Sequence, residues 1–367
     1  MLDHVWDFFV ESMITLFMPC VFAYFALTSD PFLNVAIEGG STLERTANQL
    51  LIPYQYIFAG REAVLKEDGT FELVQRFDYS KSFWPNTVSS ALSLPASFIL
   101  GGTAKALSCL ERGTRERMEA VVAVDHATDL RSEQALYKSL GIPLGDPVLA
   151  ERLIPQGHVR GPGGEKKLES AKEGLKAIAE VLNEAGIPWW VDCGTLLGTY
   201  RYGGVIPWDE DVDISILLPD FENARRALNR LDPALYLVQD WSGRDFPHTY
   251  FKVFVKKTYE FIDIDCFAID EEKRELSCVF SLDKHLFFPE WFKIRERRFT
   301  APLAYETLFP LKKGTFDGIE VFVPNDTVKY LQRVYGECLD PAKVYDPQTG
   351  LYEKDLSHPY WQRAYVH

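Results

Sequence analysis

Residues 194–218 read GTLLGTYRYGGVIPWDEDVDISILL, and the closing part of that stretch decides the fold. DVDISILL has the β-branched, apolar composition of a buried strand, interrupted only by acids. On a strand, side chains two residues apart share a face. Asp211 and Asp213 therefore project together, while Val212, Ile214 and Ile216 pack on the other side, and Asp209 extends the alternation upstream. A carboxylate removed from water is costly unless it is paired, hydrogen-bonded or bound to a cation. A divalent cation relieves the mutual repulsion of two such groups, and Mg²⁺ suits a few carboxylates completed by water and substrate phosphate.

Working outward, PWWVDC reads as a short strand and GTLLGTYR as a turn entering a helix. The Gly194–Thr195 turn would offer backbone N–H groups and the positive end of a helix dipole to an anion. Arg201, a turn or two further on, is a candidate for holding a phosphate as well. Downstream, TYFKVFV and YEFIDIDCF read as two more strands, and the second offers Asp263 and Asp265 as a third carboxylate, again alternating among apolar neighbours. A phosphate-binding turn, a carboxylate pair and a further carboxylate suit phosphoryl or nucleotidyl transfer, in which metals neutralise charge on an in-line displacement. An EF-hand loop is the rival, since Asp209, Asp211, Asp213 and Asp220 fit its positions 1, 3, 5 and 12. It fails at position 6, where the required Gly is Ile214, and ISILL cannot form that loop.

Around these elements, Leu168, Ala171, Leu175, Ile178 and Leu182 recur at helical spacing up to Gly186 and Pro188. A helix is expected from about Asp220 to Leu231, and another in NDTVKYLQRVYG with Asn325 or Asp326 as its cap. AVLKEDGTFELVQRF reads as a hairpin turning at Asp68-Gly69. Phe83 to Leu107 is apolar but broken by Pro and Gly, either a core helix pair or a membrane-contacting element. GHVRGPGGE, residues 157–165, reads as a hinge, lacking the strand, helix and Lys-Ser/Thr of a phosphate loop.

The net charge of −14 argues against non-specific nucleic-acid binding. The 6 cysteines are scattered without CxxC pairs or Cys/His clusters, which points to reduced thiols in a cytoplasmic protein. Ser12 to Leu27 is uncharged and apolar, yet shorter than the roughly 20 residues a bilayer span needs. No Lys or Arg precedes it, and Asp3, Asp7 and Glu11 flank it, so a buried or membrane-surface helix is expected.

The segment WWVDCGTLLGTYRYGGVIPWDEDVDISI strongly resembles the LicD family, which includes bacterial phosphocholine transferases and the fukutin-related proteins. Its hallmark is Gly-Thr/Ser-Leu-Leu-Gly, an Arg, then Ile-Pro-Trp-Asp-x-Asp-x-Asp, all present here. IDIDCFAID is similar to the family's Ile-Asp-Ile-Phe-Pro-Leu-Asp, and LFPLKKGTFDGIEVFVPNDTVKYLQRVYG to its closing block. The resemblance covers roughly residues 166 to 340. It implies an α+β fold with a nucleotidyltransferase-like mixed sheet and flanking helices. The corresponding organisation is an apolar segment at 1–30, a mixed region of unknown role at 31–165, the catalytic domain at 166–345 and a tail at 346–367.

The activity implied is a metal-dependent transfer of a phospho-alcohol, such as phosphocholine, from a CDP-alcohol donor to a carbohydrate or glycolipid acceptor. Mapped onto this chain, the resemblance puts Gly194 and Thr195 in the phosphate turn, with Arg201, Trp208 and Lys252 as further substrate-binding candidates. Asp209, Asp211, Asp213 and Asp265 become the Mg²⁺ (or Mn²⁺) ligands, the last three also catalytic. Asp265 is preferred to Asp263 because its spacing to Asp270 matches the family's. The family's Phe-Pro is Cys266-Phe267-Ala268 here, and the zinc-binding cysteines of some eukaryotic members have no counterpart. The alternatives are a nucleotidyltransferase that moves the NMP group itself, or a non-catalytic membrane-associated scaffold of the same fold. Neither the alcohol nor the acceptor is specified by these residues.

Overall fold

The computed structural model describes residues 31–367 apart from 68, 70, 128–131, 151–159, 162–165, 167, 244–245, 281–289 and 364–367. The apolar run at 12–27 and most of the hinge expected at 157–165 lie outside the described residues. The chain divides into two units, Met1–Asp129 with Gln239–Pro247, and Leu130–Val238 with His248–His367.

In the first unit, β1 (Val35–Ile37) pairs in parallel with β2 (Arg61–Leu65), which pairs antiparallel with β3 (Phe71–Gln75) as the expected hairpin. Between β1 and β2, α1 (Thr42–Leu50) starts at Ser41, whose Oγ accepts the Glu44 N–H at 3.1 Å, satisfying one of the donors that a helix start leaves open. The region left open between a core helix pair and a membrane element is one helical run. α2 (Phe83–Ala96) passes through a π turn at Ser97–Gly101 into α3 (Gly102–Ser108) without leaving helical dihedrals. Pro95 lacks an N–H and so disturbs the ladder directly before that π turn. One stripe of the run packs inward. Ser97 Oγ donates to the Leu50 carbonyl at 2.7 Å and accepts from Tyr54 N–H at 3.1 Å. Lys105 Nζ, fully buried, donates to the Val35 carbonyl at 3.1 Å and Asn48 Oδ1 at 3.0 Å.

The second unit is built on a mixed sheet, in keeping with the expected combination of strands and flanking helices. A short β4 (Val148–Leu149) belongs to a separate three-stranded sheet and pairs there with a later strand. The amphipathic pattern becomes α4 (Glu169–Glu184), which buries Leu175, Ile178 and Leu182 completely. After it come β5 (Trp189–Val191), α5 (Cys193–Tyr202), β6 (Val212–Leu217) and α6 (Phe221–Leu228). The chain continues through β7 (Tyr236–Asp240), β8 (Tyr250–Val255), β9 (Phe261–Asp270), β10 (Glu275–Cys278) and β11 (Leu303–Ala304). It closes with β12 (Lys312–Phe316), β13 (Ile319–Val323) and α7 (Thr327–Tyr335). α7 is capped by Asp326, whose Oδ1 accepts the Lys329 N–H at 3.0 Å.

β9 is the spine of the large sheet. Along one edge it pairs in parallel with β6, which in turn pairs antiparallel with β5. Its other partners are β8 over residues 261–265 and β10 over 267–270, both antiparallel. Strand β6 is buried along its whole length, and Trp189, Trp190, Phe251 and Phe267 are fully buried in the same core. By the usual ~25 cal/mol per Å² of apolar surface, each such aromatic stabilises the unit by a few kcal/mol. That rigidity fixes the register on which the acids sit.

Candidate functional site

The strand register sets charged residues in rows. Asp213 on β6 pairs with Asp263 on β9, and Asp263 pairs with Lys252 on β8. One step further along, Ser215 pairs with Asp265, and Asp265 with Tyr250. Cross-strand partners on one face lie within side-chain reach, so the first row holds two carboxylates and an ammonium. Lys252 Nζ reaches both oxygens of Asp263, at 2.6 and 2.9 Å, and lies 3.6 Å from the centroid of the Phe261 ring. Asp211, just before β6, completes a triplet: single oxygens of Asp211, Asp213 and Asp263 lie within 4.8 Å of one another.

The third member is thus Asp263, which the family spacing ranks behind Asp265. Alternation along β9 puts both acids on one face, and only the pairing with β6 shows which of them stands level with Asp213. Asp265 stands one step away. Asp209 is not in the triplet either, and its Oδ2 lies against Gly194, where an added Cβ would be 2.4 Å away. A side chain at 194 would push that carboxylate aside, which accounts for glycine at this point of the sequence. At Gly198 a Cβ would meet the Gly204 carbonyl oxygen at 2.4 Å, so the second glycine of GTLLG permits close chain return.

Burial and like charge act together on the cluster. Burial first, and then the nearby Asp263, push Asp211 up to about 6. Burial pushes Asp213 well above the usual carboxylate range, with Asp211 and Asp263 adding to the effect. Asp265 is likewise pushed well up, by burial and then by Asp263 and Asp192. Three carboxylates so placed form an all-oxygen donor set, which fits a hard divalent cation such as Mg²⁺ or Mn²⁺. Lys252 compensates one of the three in the cation-free protein.

A stability consequence follows with a definite sign. The folded pKa of Asp211 lies above its ordinary 3.8, so folding favours the protonated form, and the stability this gives is lost as pH rises through about 6. In EDTA, the melting temperature of the wild type should therefore fall between pH 5 and pH 7 by more than that of Asp211→Asn. Thermal scans at the two pH values check this, and parallel profiles for the two proteins would remove the repulsive cluster.

The helix start beside the acids is positioned by a residue that the sequence reading missed. Asp192, 5% exposed, caps α5. Its Oδ1 accepts the Cys193 N–H at 2.7 Å, and its Oδ2 accepts from Ser215 Oγ at 2.7 Å and Tyr330 OH at 2.9 Å. An Asp after an apolar strand and one residue before Gly-Thr is a cap signal that was available in the sequence. Thr195 Oγ1 accepts the Asp213 N–H at 2.8 Å, which ties the turn to the acidic strand. Among the described residues, the Gly194 and Thr195 amides have no protein partner, leaving two first-turn donors for an anion. Cys193 takes φ +46°, in the region that favours glycine, to make this turn. Burial and Cys193 push the Tyr335 hydroxyl well up, with Asp213 and Asp209 adding to the effect.

Two substrate-binding candidates have partners outside the acid row. Arg201, 5% exposed, donates from Nε to the Leu339 carbonyl at 2.7 Å and from Nη2 to the Asp340 carbonyl at 2.6 Å. Its fork fastens the chain after α7, and the phosphate expected there is replaced by backbone. Trp208 packs against Tyr352, with ring centroids 4.9 Å apart, and Lys343 Nζ lies 5.5 Å from its ring.

Residues 186–326 match the family model described as LicD/FKTN/FKRP, nucleotidyltransferase domain. An uncharacterized protein of Rickettsia prowazekii is 31% identical over 186 residues, which cover 50% of this chain and 60% of the relative. Ribitol-5-phosphate transferase FKTN of Homo sapiens is 28% identical over 182 residues, 48% of this chain and 35% of the relative. Ribitol 5-phosphate transferase FKRP of Homo sapiens is 41% identical over 59 residues, 16% and 12% respectively. The chain thus spans 60% or less of the length of each of these relatives. The matched region contains the acid triplet, the capped turn and Lys252, so the residues of the site lie where the chain is similar to the LicD/FKTN/FKRP nucleotidyltransferase domain.

Proposed function

We propose that the protein transfers a phospho-alcohol from a CDP-activated donor to a hydroxyl of a glycan or glycolipid, with Asp211, Asp213 and Asp263 holding a divalent cation. The observation that carries this reading is the row of Asp213, Asp263 and Lys252 with Asp211 beside it. A bound cation would neutralise charge on the donor's phosphates. The Gly194 and Thr195 amides would receive a phosphate oxygen, and Lys252 would hold Asp263 in place while adding positive charge. In the transfer, the acceptor oxygen bonds to the phosphorus that carries the alcohol, and the bridge to CMP breaks with its electron pair. The hydroxyl proton passes to a carboxylate of the cluster. Asp265, one step behind the triplet, is proposed to support Asp263.

A polyol phosphate is the favoured cargo because two of the relatives are ribitol phosphate transferases. Transfer of the NMP group is the second reading, since the matched model is described as a nucleotidyltransferase domain. A scaffold role accounts poorly for acids held close together against their own repulsion. The test is incubation with CDP-ribitol, CDP-glycerol and CDP-choline, each with Mg²⁺ or EDTA. Cation-dependent release of CMP is expected for at least one donor, fastest for CDP-ribitol. Release of free phospho-alcohol with CMP retained on an acceptor would establish the second reading instead, and no turnover of any donor would overturn both.

A further inference from the structure

The helical run of α2, the π turn and α3 has its polarity reversed. Its inward stripe is polar or small: Ser90, Ser97, Gly101, Lys105 and Ser108 are all buried. Its outward side carries large apolar residues, with Trp84, Val88, Leu92, Ile99, Leu100 and Leu107 exposed, Leu92 to 81% and Ile99 to 62%, beside the uncharged Asn86, Ser89, Ser93 and Thr103. In a protein surrounded by water the opposite arrangement is expected. No Asp, Glu, Lys, Arg or His occurs between Phe83 and Ala104. The outward side is also broad. Phe98, Ile99 and Leu100 are exposed in succession, and three successive helical residues spread over about half the circumference. A single partner helix covers a narrower seam than that.

We propose that this face docks into the hydrocarbon of one leaflet of a lipid bilayer. Large apolar side chains outward, with Ser90, Ser97, Lys105 and Ser108 buried against protein, are what a lipid solvent selects, because buried polar groups then find protein partners and the exposed serines bond back to their own helix. The run is about 39 Å long at 1.5 Å per residue, and Trp84 near its start suits the headgroup boundary. One stripe of the run is packed against protein along its length, at Ser90, Ser97, Lys105 and Ser108, so the run lies along the interface with only its other side toward lipid. Leu33 on the short helix Pro31–Asn34 packs with Leu51 and Tyr54, beside Leu94 of α2.

Charge selects the lipid. The flanking cations Lys81 and Arg112 are paired with Asp78 at 3.0 Å and Glu116 at 2.7 Å, and the chain as a whole carries −14. Attraction to an anionic surface is therefore absent, and neutral lipid is the expected partner.

The test is flotation of the full chain with phosphatidylcholine vesicles, for the wild type and for Leu92→Glu/Ile99→Glu. The wild type should float at both low and high salt, without gain from added phosphatidylserine, and the double variant should lose at least tenfold in bound fraction. Both substitutions are on exposed positions, and equal melting temperatures would show the fold retained. In parallel, Leu92→Cys should react with a water-soluble maleimide in buffer and be protected by vesicles. Failure of the wild type to float, or equal flotation of the double variant, would overturn the proposal. So would protection of Leu92→Cys in buffer, which would mean that the N-terminal run or a second copy covers the face.

Discussion

Asp213→Asn is expected to cost about a thousandfold or more in transfer rate while leaving the protein folded and, without cation, slightly more stable. Loss of charge at a group that holds a cation on transferring phosphate removes transition-state stabilisation, and comparable electrostatic losses are of that size. The stability gain has a separate origin. Asp213 is buried, pushed well above the usual carboxylate range, and faces Asp211 and Asp263, so an amide in its place relieves both desolvation and repulsion. Asp263→Asn should lose activity as severely but with the opposite effect on stability. It takes from Lys252 Nζ the carboxylate that holds it at 2.6 and 2.9 Å, and breaking a buried pair from one side costs about 3–5 kcal/mol. Asp265→Asn, one step along β9, should do less to turnover than either. CMP release and chemical denaturation, measured on all three variants, give six signs to compare. Retained turnover in Asp213→Asn at saturating Mg²⁺ would dismiss the cation site, and greater harm from Asp265→Asn than from Asp263→Asn would move it one step along the strand.

Arg201→Ala is expected to cost about 3 kcal/mol of stability, and Arg201→Lys only somewhat less. Hydrogen bonds to a charged group are worth about 1.5–3 kcal/mol each, and this guanidinium makes two, to the Leu339 and Asp340 carbonyls. Burial lowers its pKa, and the neighbouring Tyr202, Tyr335 and Asp340 act in the opposite direction. An ammonium can meet one carbonyl but cannot reproduce the fork. The variant that remains folded should bind a CDP-alcohol in Mg²⁺ with unchanged affinity. Denaturant titration and a donor titration on Arg201→Lys separate the two roles. Unchanged stability with tenfold weaker donor binding would return this residue to the phosphate.

What the sequence by itself determined was local. Alternation in DVDISILL and FIDIDCFAID identified two acidic strands, because a period of two is imposed by the chain alone. Apolar spacing located α4, and the Asn325-Asp326 pair ahead of TVKYLQRVYG located the start of α7 to within one residue, because caps and stripes are short-range. The family motif singled out the stretch that holds the turn and the acids. Pairing is not local. That Asp263 stands level with Asp213, that Lys252 closes the row, and that Asp192 also collects Ser215 and Tyr330 follow from strand register and from α7, whose Tyr330 lies 138 residues from Asp192 in the chain. Arg201 shows the same limit: in sequence an arginine beside a phosphate turn resembles a ligand for phosphate, and only the returning chain at Leu339 and Asp340 supplies the carbonyls that hold it. The apolar run from Phe83 was ambiguous for the converse reason, since composition records how many apolar residues a helix has, while tertiary packing decides which side the serines face.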